Sequence, residues 1–335
     1  MLPSLLLCCI ALLTLFPRAV CALTPKQPEP PGTGLPLWRG PTPVTVPFEY
    51  FEQHIFVTVT INGKPGYVFM LDSGANRNVL NLRTARAMGL DPGLVSQQRK
   101  IGYGQAPIYK GPEEQVAVTM ANIPIAHHVS VLDLSAFEWH FGHVTDGMLG
   151  YPFLQHFIVT IDYTRKLLTL TPAATRVHML SAVVVPLVPS DDFAVLPVSV
   201  NDGGYSQRIF KAAIDTGSNG MLVVFDQYVK SLNLHDSRSH AEPAICFGLN
   251  GYFPVNAGFV HQFTVGDASA HNVPVNYLAK EQELGPDGRF PGAIGNGILQ
   301  NFQKVTFDVP HHRMLFTLKP QPMISADVVR YVAAP

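Results

Sequence analysis

The sequence has few charged residues and no excess of either sign. Lysine and arginine number 23 against 24 aspartates and glutamates, and charged residues make up 14% of the 335 residues, where soluble chains average about 25%. Because binding to the phosphate backbone requires a basic face, this balance excludes a nucleic acid as an expected partner. A hydrophobic fraction of 47% excludes a largely disordered chain.

Cysteine is also scarce. Three of the four cysteines, Cys8, Cys9 and Cys21, lie near the amino terminus, which leaves Cys246 alone in the rest of the chain. This usage excludes a disulfide framework and a cysteine-based metal site. The thirteen histidines show no ligand spacing typical of zinc. We therefore expect neither a metal nor any other cofactor.

Long apolar runs are missing too, since a membrane-spanning helix needs about 20 residues. The run Leu5–Phe16 is shorter and is followed by small residues up to Ala22, a pattern typical of a secretory signal peptide. No Asn-x-Ser/Thr glycosylation site occurs. We therefore expect an exported bacterial protein, periplasmic or secreted. A lipid anchor on Cys21 is the alternative, which the neighbouring Val20 disfavours.

Proline and glycine, by contrast, are abundant, with 29 and 27 residues. Together with many β-branched residues they indicate short strands joined by tight turns. The chain is longer than a single core usually allows, so two domains are expected. In chain order the predicted segments are a signal peptide (1–22), a proline-rich leader (23–47), an N-terminal lobe (48–172), a linker (173–187), a C-terminal lobe (188–319) and a tail (320–335).

The two halves of the sequence repeat each other. The β-branched segment Ile55–Ile61 leads through the turn Asn62-Gly63 into Tyr67–Leu71, which ends in Asp72-Ser-Gly-Ala75. The same order recurs 143 residues later and ends in Asp215-Thr-Gly-Ser218. A constant order over such a distance indicates two copies of one fold.

A second repeated block supports the duplication. Residues Asp146–Asp162 match Gly292–Asp308 at nearly the same offset. We therefore expect an all-β protein of two lobes related by a pseudo-two-fold axis, with few and short helices. Helical patterns are limited to Leu82–Leu90, Phe153–Phe157, Phe225–Leu232 and Ile298–Phe302.

Each copy ends an apolar strand on a carboxylate followed by a hydroxyl residue and a glycine. A lone aspartate at such a position caps a turn at least as often as it reacts. Two in register are different, because pseudo-two-fold packing would bring Asp72 and Asp215 side by side. Two like charges about 3 Å apart cannot both ionise, so the pair is expected to share one proton.

With these two tetrapeptides the sequence resembles the retropepsin- and pepsin-like aspartic proteases, specifically a single-chain, two-lobed bacterial aspartyl protease. The resemblance covers residues 48–319. It implies two acid-protease lobes and a monomeric endopeptidase that acts on an extended peptide or an unfolded protein. It also implies that Asp72 and Asp215 are catalytic and hold a water between them, one as general base and the other as acid.

The resemblance assigns further residues to the site. A hydrophobic-hydrophobic-glycine motif beside each catalytic loop corresponds to Leu149-Gly150 and Ile294-Gly295. The flap hairpins that close over substrate correspond to Gly102-Tyr103-Gly104 and Gly248-Leu249. The residues that support the dyad are Ser73, Gly74, Thr216, Gly217 and Ser218.

Two alternatives and one asymmetry remain open. A peptide-binding protein without turnover could share this fold, and the leader could inhibit the dyad through Lys26 or Arg39. In addition, Ser218 ends the second tetrapeptide where Ala75 ends the first. A hydroxyl that donates to a carboxylate lowers its pKa, so Asp215 is expected to be the more readily ionised member.

Overall fold

The computed structural model describes residues 40, 42–90, 96–98, 108–177, 181–204, 207–279 and 290–320. All of them belong to one compact unit. The predicted signal peptide, most of the leader, and the tail beyond residue 320 lie outside the described residues. The same holds for the predicted first-lobe flap residues Gly102, Tyr103 and Gly104.

Strands dominate the structure, as the composition predicts. They are β1 (Val44–Pro47), β2 (Glu49–Phe51), β3 (His54–Ile61), β4 (Lys64–Leu71), β5 (Val79–Asn81), β6 (Ser96–Gln98), β7 (Ile108–Met120), β8 (Ile123–Leu132), β9 (Gly147–Leu149), β10 (Phe157–Asp162), β11 (Leu167–Pro172), β12 (Ala182–Pro186), β13 (Val195–Asn201), β14 (Arg208–Asp215), β15 (Leu222–Phe225), β16 (Glu242–Gly248), β17 (Gly251–Val265), β18 (Ala268–Leu278), β19 (Gly292–Gly295), β20 (Phe302–Asp308) and β21 (Arg313–Leu318).

The helices are short. They are α1 (Leu82–Ala87), α2 (Ser135–Phe141), α3 (Tyr151–His156), α4 (His235–Ser239) and α5 (Asn296–Leu299), with 3₁₀ turns at Asp226–Tyr228 and Val309–His311. Three of the four predicted helical patterns therefore overlap a helix. The pattern at Phe225–Leu232 forms only the 3₁₀ turn, because β15 continues through Phe225. Helices α2 and α4 have no predicted counterpart.

Each lobe is a closed six-stranded barrel. In the first lobe the strand order is β3-β4-β9-β5-β8-β7, and β7 pairs back with β3. In the second it is β13-β14-β19-β15-β18-β17, and β17 pairs back with β13. In both lobes the strand that leads to the acidic tetrapeptide pairs in parallel with the short strand of the glycine motif. The prediction of an all-β fold with two related lobes is confirmed.

A third sheet joins the two lobes. Its order is β1-β11-β10-β20-β21-β12, and β10 of the first lobe pairs with β20 of the second in antiparallel register, with Thr160 opposite Thr306. The hydroxyls of these two threonines form a hydrogen bond of 2.9 Å. This sheet includes β1 from the predicted leader and β12 from the predicted linker. The boundaries of these predicted segments stay predictions.

The turn chemistry explains how the strands that carry the acidic residues are aligned. Asn62 and Gly63 have φ values of 48° and 79° and connect β3 to β4 as a two-residue hairpin loop. Positive φ at both positions matches the twist of the flanking strands and favours the Asn-Gly sequence. This turn fixes the register of β4 and hence the position at which Asp72 leaves the barrel.

The joining sheet should account for much of the stability. Phe307 on β20 is fully buried, so Phe307→Ala should lower the free energy of unfolding by about 3 to 5 kcal/mol. Phe259 on β17 is 59% exposed, and Phe259→Ala should change it by less than about 1 kcal/mol. Urea unfolding followed by circular dichroism measures both, and equal stability of the two variants would contradict this packing.

Candidate active site

The two acidic residues of the repeats lie at equivalent strand ends. Strand β4 ends at Leu71, directly before Asp72, and β14 ends on Asp215. Each end is held by its parallel neighbour: Leu71 is opposite Leu149, and Asp215 is opposite Gly295. The amide of Asp72 also donates to the Leu149 carbonyl at 2.9 Å. Both carboxyl groups are thus attached to rigid backbone.

The hydroxyl residues that follow connect the lobes reciprocally. The amide of Ser73 donates to Thr216 Oγ1, and the amide of Thr216 donates to Ser73 Oγ, both at 2.9 Å. The Ser73 hydroxyl donates to the Ile214 carbonyl at 2.6 Å, and the Thr216 hydroxyl donates to the Leu71 carbonyl at 2.9 Å. Both side chains are fully buried. Four hydrogen bonds therefore fix one tetrapeptide loop against the other.

The two glycines of the tetrapeptides allow the carboxyl groups to meet. Each glycine amide donates to the carboxylate of its own loop, Gly74 to Asp72 and Gly217 to Asp215, at 3.0 Å. Each glycine also lies against the carboxyl group of the opposite lobe, so that a Cβ at Gly74 or Gly217 would overlap it. Only glycine permits this approach. The carboxyl groups of Asp72 and Asp215 therefore approach each other closely, and each shifts the pKa of the other.

The glycine motifs support the two loops from behind. Gly150 lies so close to the carbonyls of Ala75 and Arg77 that a Cβ would overlap them. Gly295 lies in the same way against the carbonyls of Gly220 and Ser218. Leu149 and Ile294, which precede these glycines, are buried. The motif residues therefore pack directly beneath the loops that carry the carboxyl groups.

The hairpin of β16 and β17 reaches from the second lobe to the first. Its tip residue Leu249 packs against the first-lobe apolar cluster around Phe137 and Met148. Phe247 stacks on His140 of α2, with ring centroids 3.8 Å apart and planes 8° apart. The sequence predicted Gly248 and Leu249 as flap residues. It did not indicate His140 of α2, which contacts the hairpin that carries them. A seven-residue helix has too few turns for a periodic signal.

One more contact fixes this hairpin. His140 Nδ1 lies 3.1 Å from the hydroxyl of Tyr252, at the start of β17. The side chain of Asn250, between these strands, is buried, and neither of its amide atoms has a hydrogen-bond partner. The hairpin is therefore docked on the opposite lobe through both an aromatic stack and a hydrogen bond.

Within residues 40–320, apart from the gaps stated above, no three His, Cys, Asp or Glu side chains are placed to hold a metal ion. No helix in the described part of the chain is long and apolar enough to cross a membrane.

Comparison with known proteins identifies the first lobe. Residues 57–153 match the family model of aspartyl proteases. The predicted resemblance to retropepsin- and pepsin-like aspartic proteases is confirmed. Among solved structures, an aspartic proteinase from Irpex lacteus aligns with a TM-score of 0.47 and 12% identity, over 83% of this chain and 98% of that one. No curated protein matches.

Burial perturbs both carboxyl groups of this candidate site. It raises the pKa of Asp72 to about 6. It raises the pKa of Asp215 well above its ordinary value, and the neighbouring charge of Asp72 adds to this effect. Asp215 is 6% exposed, whereas Asp72 is only partly buried. The pair therefore binds one proton more readily than two isolated aspartates would.

The structure does not show the bond on which the expected order of the two acids depends. The bond it shows for the Ser218 hydroxyl is the one that this hydroxyl accepts from the amide of Gly220 at 3.2 Å. The bonds that favour charged Asp215 come from the backbone of Gly217 and Ser218, and burial opposes them. Asp215 is also the more deeply buried of the two carboxyl groups, which favours it as the carrier of the shared proton.

The raised pKa values predict how stability depends on pH. Because the folded state binds the proton more tightly than the unfolded state, the contribution of the pair is fully present below about pH 4 and is lost as pH rises through about 6. Asp72→Asn should reduce this dependence by the share of Asp72, on the order of 2 to 3 kcal/mol. Urea unfolding of both proteins from pH 3.5 to 7.5 measures it, and parallel curves would contradict the assignment.

Proposed function

We propose that this protein is an aspartic endopeptidase that hydrolyses peptide bonds with the Asp72 and Asp215 pair. The family match and the two-barrel fold support a protease-type function. The observation that carries the finer proposal is the close approach of two carboxyl groups, one from each lobe, for which the described part of the chain shows no ion pair with a basic side chain. Such a pair can give and accept a proton in one step.

The chemistry follows from the unequal burial of the two acids. In this proposal ionised Asp72 takes a proton from a water as the water oxygen attacks the scissile carbonyl carbon. Protonated Asp215 gives its proton to the carbonyl oxygen, and a tetrahedral diol forms. Asp72 then returns its proton to the amide nitrogen, the C–N bond breaks, and one diol hydroxyl returns a proton to Asp215. Both acids end as they began, so no cofactor is consumed.

The substrate class follows from the shape of the site. The hairpin of β16 and β17 reaches from the second lobe to α2 of the first. An extended peptide can add a strand to such a hairpin, and alternate side chains then face alternate sides. We infer an extended peptide or an unfolded protein as substrate. The apolar run at residues 5–16 supports export before the enzyme meets it.

The assignment of Asp72 and Asp215 as the reacting pair predicts a large loss of turnover when either is replaced. Asp72→Asn and Asp215→Asn keep the size of the side chain but remove acid and base function. Each should lower kcat by about 1,000-fold without unfolding the protein. The double variant should be little worse than either single one, since the two residues act as a unit. The assay is cleavage of an unfolded protein from pH 4 to 6, with a statine inhibitor expected to abolish it.

A matched control is Asp236→Asn, because the Asp236 side chain is 76% exposed and lies on α4. It should retain wild-type kcat. Turnover retained by either dyad variant would contradict the assignment. Wild-type protein that binds the peptide and the inhibitor without cleavage would instead favour the peptide-binding alternative.

The docked hairpin predicts a second effect, on substrate retention. Tyr252→Phe removes the hydrogen bond to His140 and keeps the aromatic ring, whereas His140→Phe keeps the stack on Phe247. A hydrogen bond worth about 1 kcal/mol corresponds to about a five-fold change. Both variants should therefore raise KM about five-fold for a peptide substrate, with the fold intact.

The control for this hairpin is Ile245→Ala, because Ile245 lies on β16 and is 74% exposed. It should leave KM within about two-fold of wild type. Steady-state kinetics on one chromogenic peptide compares the three variants. If Tyr252→Phe and His140→Phe both kept wild-type KM, the hairpin would not take part in holding substrate.

A further inference from the structure

A buried histidine of the first lobe contacts the catalytic loop of the second. His54 begins β3 and is 3% exposed. Its Nε2 lies 3.1 Å from the carbonyl oxygen of Gly217. The ring is packed edge-on against Phe137 and Phe141 of α2, with centroid distances of 5.5 and 4.9 Å. This packing restricts the His54 ring to one orientation relative to the loop that contains Gly217.

The contact defines the protonation state of the ring. A carbonyl oxygen can only accept, so Nε2 must donate. Burial lowers the pKa of His54 to about 4, and His143, which lies 3.3 Å from Glu49, acts in the same direction. Above that pH the neutral ring carries one proton, and the Gly217 carbonyl holds it on Nε2. Nδ1 is then the unprotonated nitrogen and lies buried.

Gly217 is the residue of this loop that touches both carboxyl groups. Its amide donates to Asp215 at 3.0 Å, and its Cα packs against the Asp72 carboxyl. A shift of Gly217 would therefore disturb both acids at once. In the first lobe the equivalent residue is Gly74, and no side chain in the described part of the chain donates to its carbonyl. The support from a histidine is specific to the second loop.

We propose that His54 is a positioning residue that holds Gly217, and through it the two carboxyl groups, from the opposite lobe. It touches neither carboxyl group itself. The inference deepens the proposed function and its kinetic test rests on it, but the ring's tautomer and the titration of the carboxyl pair can be measured without any turnover.

The first experiment reads the tautomer. Nitrogen-15 NMR of histidine-labelled protein at pH 6 should show His54 with its proton on Nε2, assigned by loss of the signal in His54→Phe. A proton on Nδ1 would overturn the proposal, because Nε2 could not then donate to the Gly217 carbonyl. This result stands whether or not the protein cleaves peptides.

The second experiment separates positioning from packing with two variants. His54→Phe keeps an aromatic ring beside Phe137 and Phe141 but has no donor. His54→Gln places an N–H at the same number of bonds from Cα as Nε2. We expect kcat to fall about ten-fold in His54→Phe with KM within about two-fold, and His54→Gln to recover most of the loss. His261→Phe, on an exposed part of β17, is the control.

The same variants report on the carboxyl pair directly. If Gly217 is released, its hydrogen bond to charged Asp215 weakens, so carbon-13 NMR should show the carboxyl titration of His54→Phe shifted upward by several tenths of a pH unit. Unchanged titration and unchanged kcat in His54→Phe would overturn the proposal, as would equal losses in the Phe and Gln variants. Absence of cleavage by wild-type protein would instead refute the proposed function, and the two NMR measurements would still decide the role of His54.

Discussion

The reciprocal hydrogen bonds of Ser73 and Thr216 are the constraint on which the site depends. Each hydroxyl accepts from the loop of the other lobe and donates to a strand carbonyl of that lobe. Both side chains are fully buried, so water cannot replace a lost partner. An unsatisfied buried group costs about 1 to 3 kcal/mol. The lobes can therefore separate at this point only by breaking several bonds together.

This constraint creates an unfavourable contact that the rest of the fold must offset. Asp72 and Asp215 are pressed together away from solvent, which raises both pKa values. The sheet that joins the lobes, with β10 beside β20, supplies compensating burial: Phe157 and Phe307 are 2% and 0% exposed. The joining sheet thus contributes much of the stability, whereas the close contact of the two carboxyl groups lowers it. Such a division is usual where a site must keep perturbed acids.

The repeat made the architecture predictable, because strand order and turn chemistry are local in sequence. Asn62-Gly63 indicated the hairpin of β3 and β4, and the two tetrapeptides indicated where the backbones of the two lobes meet. Helix α2 was not predictable, since only Phe137 of its residues is buried and no periodic pattern forms. The bond expected from the Ser218 hydroxyl to Asp215 is not shown by the structure. The bond that it shows is local, since this hydroxyl accepts from the amide of Gly220 two residues away.

The duplicated loops differ most in what supports them from outside. Asn296 donates to the Thr216 carbonyl at 2.6 Å, and His54 bonds the next carbonyl, that of Gly217. At the position of the first lobe that matches Asn296 stands Tyr151, whose backbone amide donates to Ala75 as the amide of Asn296 donates to Ser218. The difference is in the side chain, since that of Asn296 also donates to its loop. Two carboxyl groups in identical surroundings would have no reason to differ in proton affinity. The second loop has these additional side-chain contacts, from both lobes, and it also carries the more deeply buried acid.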